Sequence, residues 1–394
     1  MAEAMIKSPR SARVTIVGGG IIGCMTAWFL LEQGFDGEII VVERDSSYRQ
    51  SSTALSAASI RAQFGCRVNI ELSLFGMAFL RDTRRRWPDA DIGLTERGYL
   101  ILGKADQVDA RREAMELQRG AGARVIELGL DELRSRFPWL SLDGVAIATL
   151  GEGEGWFDAW GLLQATRRAV LQRGARFVSG EVCDVKVVGS HVASVRLHDG
   201  EVLAADWCVN AAGALSGKIA TMVGYPLPLV PKKRTVFHFK APLAAPEIPM
   251  LFDLSAAWMR PEGDGFIGGI APNPMQDPNA YGDFEPQHAL FEEDLWPALA
   301  ARVPVLEQVK LLRSWAGHYD MNLFDHNAFV GPHPDVPNFL FACGFSGHGV
   351  MHAPGAGRAV AEWITAGGYR SIDLSGLRVE RFRENRPMVE GSIY

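Results

Sequence analysis

The clearest pattern of buried and exposed positions lies near the start of the chain. Residues 14–17 are all β-branched, residues 21–33 are mostly apolar over a helical length, and residues 38–42 form a second β-rich run. Glycines stand between these segments, as expected where tight turns join buried strands to a helix. The pattern predicts a strand, a helix and a second strand, which together form the β-α-β unit of a parallel sheet.

The middle of the chain alternates between helical and extended patterns. Apolar residues at helical spacing predict helices over 69–87, 106–120, 131–137 and 159–173, with Asp158 as the N-cap of the last one. Extended runs predict strands over 97–103, 176–179, 181–188, 192–198 and 206–210. Of these strands, 176–179, 181–188 and 192–198 are expected to pair in antiparallel order, with a hairpin turn at Asp199 and Gly200.

The chain changes character after residue 230. Short β-rich runs at 235–240, 257–260 and 265–269 alternate with proline-rich loops, and one helix is predicted over 285–302. Near the end, a strand over 339–342 leads through a glycine turn into a helix over 356–365.

Composition and charge exclude several classes of function. A chain of 394 residues is long enough for two domains, and its net charge of −6 does not favour a nucleic-acid-binding surface. The basic run 81–86 is expected to be a solvated helix face. Five scattered cysteines without C-x-x-C spacing indicate a reducing compartment and neither a disulfide framework nor a zinc site. Glycines interrupt the longest apolar run, so we expect no membrane span and a cytoplasmic protein.

The first turn carries the G-x-G-x-x-G spacing of a dinucleotide site, with Gly18, Gly20 and Gly23 around Ile21 and Ile22. The first glycine permits a tight turn, the second lets backbone amides approach a pyrophosphate, and the third lets helix and strand pack closely. The helix N-terminus then points its partial positive charge at the phosphates. Glu43 ends the second strand, where a carboxylate can accept hydrogen bonds from ribose hydroxyls.

A second glycine-rich strand–helix junction spans 344–349, near the far end of the chain. The first motif alone does not separate NAD from FAD. A tightly held cofactor that spans the molecule needs both ends of the chain to close around it, so the second junction favours FAD.

Further motifs resemble the D-amino-acid oxidase superfamily of flavoproteins, in the branch of glycine oxidase, sarcosine oxidase and dimethylglycine dehydrogenase. They are the Ser-Ser-Thr loop at 51–53, the segment 174–182, the Val-Asn-Ala-Ala-Gly stretch at 209–213 and the turn at 344–349. The resemblance covers essentially the whole chain.

The resemblance implies an α/β fold, α+β overall, of the glutathione-reductase-like flavoprotein class. A discontinuous Rossmann-type FAD-binding domain (11–95, 151–229 and 321–394) would be interleaved with a mixed-sheet substrate domain (96–150 and 230–320). Besides the fingerprint residues and Glu43, it implies that the cofactor contacts Arg44, Ser51, Ser52, Thr53, Val182, Ala212, Gly213, Gly344, Gly347, His348, Gly349 and Val350. Related chains attach FAD to a residue just after the Ser-Thr loop or near position 317. Here Ala54, Leu55 and Gly317 stand there, so we expect non-covalent FAD.

The resemblance also implies oxidation of a C–N bond in a small amine or amino acid by hydride transfer to the flavin, followed by hydrolysis of the imine. Arg61 matches the family's arginine beside the flavin and would bind a substrate carboxylate through its planar fork. His348 lies in the flavin loop, and Tyr319 and His318 are expected to line the substrate cavity. Arg61, His348 and Tyr319 are the candidate catalytic residues. Lys232, Lys233 and Arg234 would either sit over the flavin or be exposed, and exposure is favoured.

Alternatives remain open for the electron acceptor and for the role of the chain. Residues 266–269 offer no lysine near the flavin, and Met351 stands where family members place a carboxylate-binding lysine. Both departures favour a dehydrogenase that uses an electron carrier over an oxidase. The chain would alternatively be a flavin-bearing assembly protein, or a β subunit that works with a partner subunit. His348 and His352 share a helical spacing but lack a carboxylate ligand, so no metal is expected.

Overall fold

The computed structural model describes residues 12–243 and 247–391. Residue 11 and residues 392–394, which the prediction placed at the two ends of the FAD-binding domain, lie outside this part of the chain. The internal residues 244–246 lie outside it as well. The strands of the described residues are β1 Arg13–Val17, β2 Glu38–Glu43, β3 Ser59–Ile60, β4 Tyr99–Gly103, β5 Val125–Leu128, β6 Ile147–Gly151, β7 Gly155–Trp156, β8 Arg176–Ser179, β9 Val182–Val188, β10 His191–Leu197, β11 Val202–Ala204, β12 Trp207–Asn210, β13 Leu229–Lys240, β14 Met250–Phe252, β15 Trp258–Glu262, β16 Gly265–Gly269, β17 Lys310–Asn322, β18 Phe329–Pro332 and β19 Phe339–Cys343.

The α-helices of the same residues lie between these strands. They are α1 Ile21–Glu32, α2 Arg67–Arg81, α3 Thr83–Arg86, α4 Val108–Gly120, α5 Leu130–Arg136, α6 Ala159–Gln172, α7 Ser216–Met222, α8 Trp296–Arg302, α9 Gly349–Ala366 and α10 Glu380–Arg383. A π-helical turn, Phe291–Leu295, leads into α8. No helix in the described ranges has the length and apolar character that crossing a bilayer would require.

The first large sheet has six strands in the order β18-β19-β12-β1-β2-β8. All neighbours pair in parallel except β18, which runs antiparallel to β19. Both faces of the sheet are covered. Val14 and Ile16 pack towards α1, α2, α6 and α9, whereas Val17 packs on the opposite side with α7 and the small β9–β11 sheet. Two buried faces explain why the first strand lacks polar alternation.

The second large sheet has eight strands in the order β17-β13-β16-β15-β14-β4-β6-β5. Its pairs are antiparallel, apart from the parallel pair of β14 and β4. Its strands come from 99–151 and 229–322. The division of the chain into two interleaved domains stays a prediction.

The structure corrects the predicted strand pairing at β8. This strand pairs in parallel with β2 at the edge of the six-stranded sheet, so only β9, β10 and β11 form the antiparallel meander. The helix α6 crosses over between the β2 edge and β8, and such a crossover delivers a parallel strand rather than a hairpin.

Four helix predictions also need correction. The helix over 69–87 is broken at Asp82, which separates α2 from α3. The helix over 285–302 begins only at Ala289, two residues before the π turn, and Pro286 disfavours helical backbone at residue 285. Asp158 holds the N-cap position of α6 without a side-chain capping bond. The last helix starts at Gly349 and continues through Pro354.

Candidate functional site

The turn between β1 and α1 is built from glycines because no side chain fits there. Gly18 has a φ of +106°, and a Cβ at this position would lie 2.2 Å from the carbonyl oxygen of Ala211. A Cβ on Gly23 would lie 2.0 Å from the carbonyl oxygen of Gly18. The turn is therefore pressed against the end of β12 on one side and against its own helix on the other. The reasons for glycine at 18 and 23 are left-handed backbone and close packing.

Gly20 differs from these two positions because its Cα faces open space. A Cβ here would meet only the Oγ1 atom of Thr53, at 3.4 Å. Gly20 is also the N-cap of α1, and the backbone amide of Ile21 donates a hydrogen bond to Thr53 Oγ1 at 3.2 Å. The amides at this helix N-terminus thus face a cleft that a side chain would obstruct, which is the arrangement that binds phosphate.

Glu43 fastens the same turn from the side of β2. Its carboxylate accepts hydrogen bonds from the amides of Gly19, at 2.8 Å, and Asp45, at 2.9 Å. Burial raises the pKa of this carboxyl above its ordinary value. Glu43 therefore holds the glycine turn in place, and it also lines the cleft, where ribose hydroxyls were predicted to bind.

The loop after β2 links the two large sheets. Ser52 Oγ donates to the carbonyl oxygen of His318 at 2.7 Å, and Trp315 Nε1 donates to the carbonyl oxygen of Leu55 at 3.0 Å. Arg260 donates to the carbonyl oxygen of Ala57 through Nε and Nη2. The predicted Ser-Ser-Thr loop is thus bonded to the amino-terminal turn through Thr53, and to the eight-stranded sheet through Ser52 and the residues that follow the loop.

The carboxy-terminal turn joins β19 to α9 and has an anchor that the sequence did not reveal. Gly344 and Gly347 have φ values of +76° and +98°. The Oδ2 atom of Asp320 accepts hydrogen bonds from the amides of Gly344, at 2.8 Å, and Phe345, at 3.0 Å. Burial raises the pKa of Asp320 to about 6. A buried carboxylate at the end of β17 therefore shapes this turn.

One cavity is lined by both glycine turns. Its walls include α1, the loop after β2, the end of β12, strands β13 and β17, and the start of α9. The predicted cofactor residues that line it are Gly18, Gly20, Ile21, Ile22, Glu43, Arg44, Ser51, Ser52, Thr53, Ala212, Gly213, Gly347, Gly349 and Val350. Gly23, Gly344 and His348 do not line it. The turns that the sequence places at opposite ends of the chain therefore converge on one space.

A second cavity adjoins the first and contains Val182. The two share Gly18, Glu43, Arg44 and Ala212 among their lining residues. The cleft thus continues from the carboxy-terminal turn, past the helix N-terminus, to the start of β9. This extended shape fits a dinucleotide: the phosphates would lie at the α1 amides and the adenosine beside Glu43 and Val182.

The three predicted catalytic residues take different positions. Tyr319 lines the first cavity, and a Cβ on Gly347 would lie 2.3 Å from its ring. Burial raises the pKa of the Tyr319 hydroxyl, which stays protonated. Arg61 and His348 are buried and lie behind the cavity wall. The structure brings all three close together. The Phe64 ring lies 4.0 Å from the Arg61 guanidinium and 5.4 Å from the His348 ring, and the Tyr319 ring packs on Gly347, the residue before His348.

Arg61 belongs to a buried polar cluster. Its Nη1 donates to the carbonyl oxygen of Gln63 at 2.5 Å, and its guanidinium lies 4.0 Å from the centre of the Phe64 ring. Glu154 accepts from the Ala62 amide at 2.8 Å and from Gln63 Nε2 at 2.9 Å. Burial raises the pKa of Glu154 to about 7. These contacts hold the segment that carries Arg61 in place, and Arg61, Gln63 and Glu154 do not line the cavity.

His348 and His352 lie side by side beneath the carboxy-terminal turn, with ring centres 4.8 Å apart. Burial lowers the pKa of His348 well below its ordinary value and that of His352 to about 3, so both rings are neutral. His352 Nε2 pairs with Ser73 Oγ at 2.9 Å. In the described parts of the chain, no group of three or more histidine, cysteine, aspartate or glutamate side chains is arranged to hold a metal ion.

The basic run 232–234 is not exposed, contrary to the prediction. The side chains of Lys233 and Arg234 are only 13% and 14% exposed. Lys233 pairs with Asp283 at 2.6 Å, and Arg234 pairs with both carboxylate oxygens of Asp277, at 3.1 and 3.0 Å. The acids come from a loop more than 40 residues later, so the local sequence gave no sign of them. His318 lines the cavity beside them.

Comparison with known proteins gives matches over nearly the full chain. A sequence model of the family described as FAD dependent oxidoreductase matches residues 13–363. The Xenopus laevis protein named FAD-dependent oxidoreductase domain-containing protein 1 is 38% identical over 98% of this chain and 85% of its own length. Human mitochondrial sarcosine dehydrogenase is 26% identical over 96% of this chain and 42% of its own length. The crystal structure of L-proline dehydrogenase from P. horikoshii superposes with a TM-score of 0.84 at 24% identity, over 96% of this chain and all of that one.

Proposed function

This chain belongs to the D-amino-acid oxidase (DAO) family of FAD-dependent oxidoreductases, and from that premise we propose that it oxidises a C–N bond of a small amine or amino acid. The predicted family, the Rossmann-type α/β fold and the FAD cofactor are confirmed. The proposal adds the bond that is oxidised. Support for it comes from the relatives, whose names include dehydrogenases of sarcosine and dimethylglycine.

The observation that carries the proposal is the position of Tyr319. Its ring packs on Gly347 in the carboxy-terminal turn. Tyr319 also lies on β17 of the eight-stranded sheet and lines the same cavity as that turn. A substrate held in this cavity therefore lies between that sheet and the cleft. When bound, FAD supplies the acceptor for the hydride that leaves the carbon next to nitrogen.

The side chains around the cavity position a substrate rather than attack it. The nearby imidazoles of His348 and His352 are neutral and buried, so the amine loses its proton without a strong base from this cluster. Strands β13 and β17 cover the sheet side of the cavity and limit the access of water. Orientation in a shielded site is the contribution expected from the protein when the cofactor carries the chemistry. The imine then leaves and is hydrolysed by water.

Non-covalent attachment of FAD is part of the proposal. Leu55 and Gly317, at the two positions where related chains link the flavin, lie against each other, and a Cβ on Gly317 would be 3.0 Å from that of Leu55. Neither residue carries a nucleophile. Acid precipitation of the purified protein should release all of its yellow colour into the supernatant.

The experiment that tests the function is anaerobic mixing of the FAD-loaded protein with a panel of N-methylated amines and D- and L-amino acids. Loss of the visible flavin absorbance with one chemical class identifies the substrate and shows that the chain is an enzyme by itself. If dithionite reduces the flavin but no amine does, the proposal fails for the isolated chain, and an assembly role or a missing partner subunit replaces it. Mixing the reduced protein with oxygen and with a quinone then identifies the electron acceptor.

A further inference from the structure

The cations that face the cofactor cavity lie at its two ends. Among the described residues, the lysines and arginines that line it are Arg44 and Arg234. Arg44 follows β2 and also lines the adjoining pocket that contains Val182, so it belongs to the nucleotide end. Arg234 lies on β13, in the eight-stranded sheet that closes the other end. An anion that enters the substrate end therefore meets Arg234.

Arg234 is close to the place where a substrate would react. Its guanidinium carbon lies 5.4 Å from the centre of the Tyr319 ring, and that ring packs on Gly347 in the carboxy-terminal turn. Only one aromatic ring therefore separates the guanidinium from the turn that lines the cofactor cleft. The side chain is 14% exposed, so water screens its charge weakly.

A carboxylate already occupies this arginine. Asp277 presents its two oxygens to Nη1 and Nη2, the fork geometry that an external carboxylate would also use. Asp277 lies on the segment 271–284, which we call the mouth loop. Ala271, Tyr281 and Phe284 of this loop line the cavity, and its Met275 side chain is 91% exposed.

We propose that Arg234 binds the carboxylate of the substrate and that Asp277 occupies the site until the substrate displaces it. This inference rests on the proposed function, since it names the class of amine that the cavity selects. When a substrate carboxylate replaces that of Asp277, Arg234 keeps an anionic partner. An amine without a carboxylate has no group that can replace Asp277. The cavity therefore selects amines that carry a carboxylate, and the mouth loop moves outwards when they bind.

Arg61, which the sequence suggested for this role, is placed less well. It does not line the cavity, its Nη1 is bonded to the carbonyl oxygen of Gln63, and Phe64 covers its guanidinium. A substrate carboxylate would have to pass the wall to reach it. The geometry therefore points to Arg234 as the carboxylate-binding residue and to Arg61 as part of the support behind the wall.

The test measures binding of a carboxylate that cannot be oxidised. The FAD-loaded wild type and the variants Arg234→Gln, Asp277→Asn and Lys240→Gln are titrated with propanoate and with propanamide, and binding is followed by the flavin spectrum and by calorimetry. Lys240 is the matched control, because it lies on the same strand in an exposed ion pair with Asp264.

We expect the wild type to bind propanoate and not propanamide. Arg234→Gln should weaken propanoate binding at least about tenfold, because a charge-assisted fork is lost. Asp277→Asn should strengthen it by roughly tenfold, because the internal competitor loses its charge. Lys240→Gln should bind as the wild type does.

Two results would overturn the inference. One is unchanged propanoate affinity in Arg234→Gln with its FAD content intact. The other is unchanged or weaker affinity in Asp277→Asn, because a purely structural ion pair does not compete with a ligand. The second result remains informative even if Arg234→Gln fails to fold.

Failure of this inference is distinguishable from failure of the proposed function. If amines without a carboxylate reduce the flavin as fast as amino acids do and Arg234→Gln binds propanoate normally, the inference fails and the function stands. If propanoate binding follows the expectations but no amine reduces the flavin, the function fails, and Arg234 remains the site for a carboxylate ligand of another kind.

Discussion

The two large sheets provide different halves of the candidate site. The six-stranded sheet presents backbone amides: the turn after β1 and the turn after β19 both open into the cleft. The eight-stranded sheet presents side chains, with Tyr319 and Arg234 towards the same cavity. Backbone recognition suits a cofactor that every member of the family binds, whereas side chains can change with the substrate. The comparison suggests that cofactor binding and substrate selection reside in different sheets.

The largest expected effect comes from the amino-terminal turn. In Gly18→Ala, the new Cβ would lie 2.2 Å from the carbonyl oxygen of Ala211 on a backbone with φ +106°. Overlap and strain together should lower the free energy of unfolding by about 3–5 kcal/mol and abolish FAD binding. Chemical denaturation and FAD content measure both. Gly120→Ala, with nothing within 4 Å of the added Cβ, should cause no such loss.

Asp320→Ala tests the other end of the cleft and should have the next largest effect. It removes the carboxylate that accepts from the amides of Gly344 and Phe345, leaving two donors without their partner. At a pH well above 6, we expect about 2–3 kcal/mol less stability and weaker FAD binding. Titration of apoprotein with FAD measures the affinity. Asp264→Ala, on the surface, is the control, and equal FAD affinity in the two variants would contradict a role for Asp320.

Glu154→Gln, in the buried polar cluster around Arg61, should change how the free energy of unfolding depends on pH. The pKa of Glu154 is about 7 in the folded protein against an ordinary 4.5, so the folded state binds this proton more tightly. Its contribution is present at low pH and is lost as the pH rises from about 5 through 7. The stability of the wild type should therefore fall by about 2 kcal/mol relative to the glutamine variant over that range.

Denaturation curves of both proteins between these pH values check the sign. Glu127 is the control, because the Arg112 guanidinium beside it lowers its pKa. Its contribution should instead be lost as the pH falls. If the difference between wild type and Glu154→Gln does not change with pH, the carboxyl is not buried as the structure shows.

The smallest expected effect concerns the bonds that join the two regions. Arg260→Met removes the donors to the carbonyl oxygen of Ala57 but keeps most of the apolar stem. We expect about 1–2 kcal/mol less stability and a modest loss of FAD affinity. Arg313→Met, on an exposed side chain of the same sheet, serves as the comparison. Equal behaviour of the two variants would show that the regions do not depend on this contact.

The amino-terminal turn was predictable from sequence because its requirements are local. Gly18, Gly20 and Gly23 stand within six positions. Steric limits explain the glycines at 18 and 23, and the cleft beside the helix N-terminus explains the glycine at 20. The side of the cavity formed by β13 was less predictable because its contacts join residues that are distant in sequence. Arg234 meets Asp277 and Lys233 meets Asp283, so a basic run that would suit a surface becomes half-buried. The role of Asp320 was not predictable from sequence, because the turn that its carboxylate binds lies more than 20 residues later in the chain.

The site residues themselves remain predictions, and hydrogen–deuterium exchange of the apoprotein and the FAD-loaded protein tests the central one most directly. Both glycine turns line one cavity, so FAD should slow exchange at the amides of 18–23 and of 344–350 together. The exposed hairpin between β9 and β10 should exchange equally in both forms. Protection at one turn only, with the other unchanged at saturating FAD, would contradict the claim that the two turns hold the same cofactor.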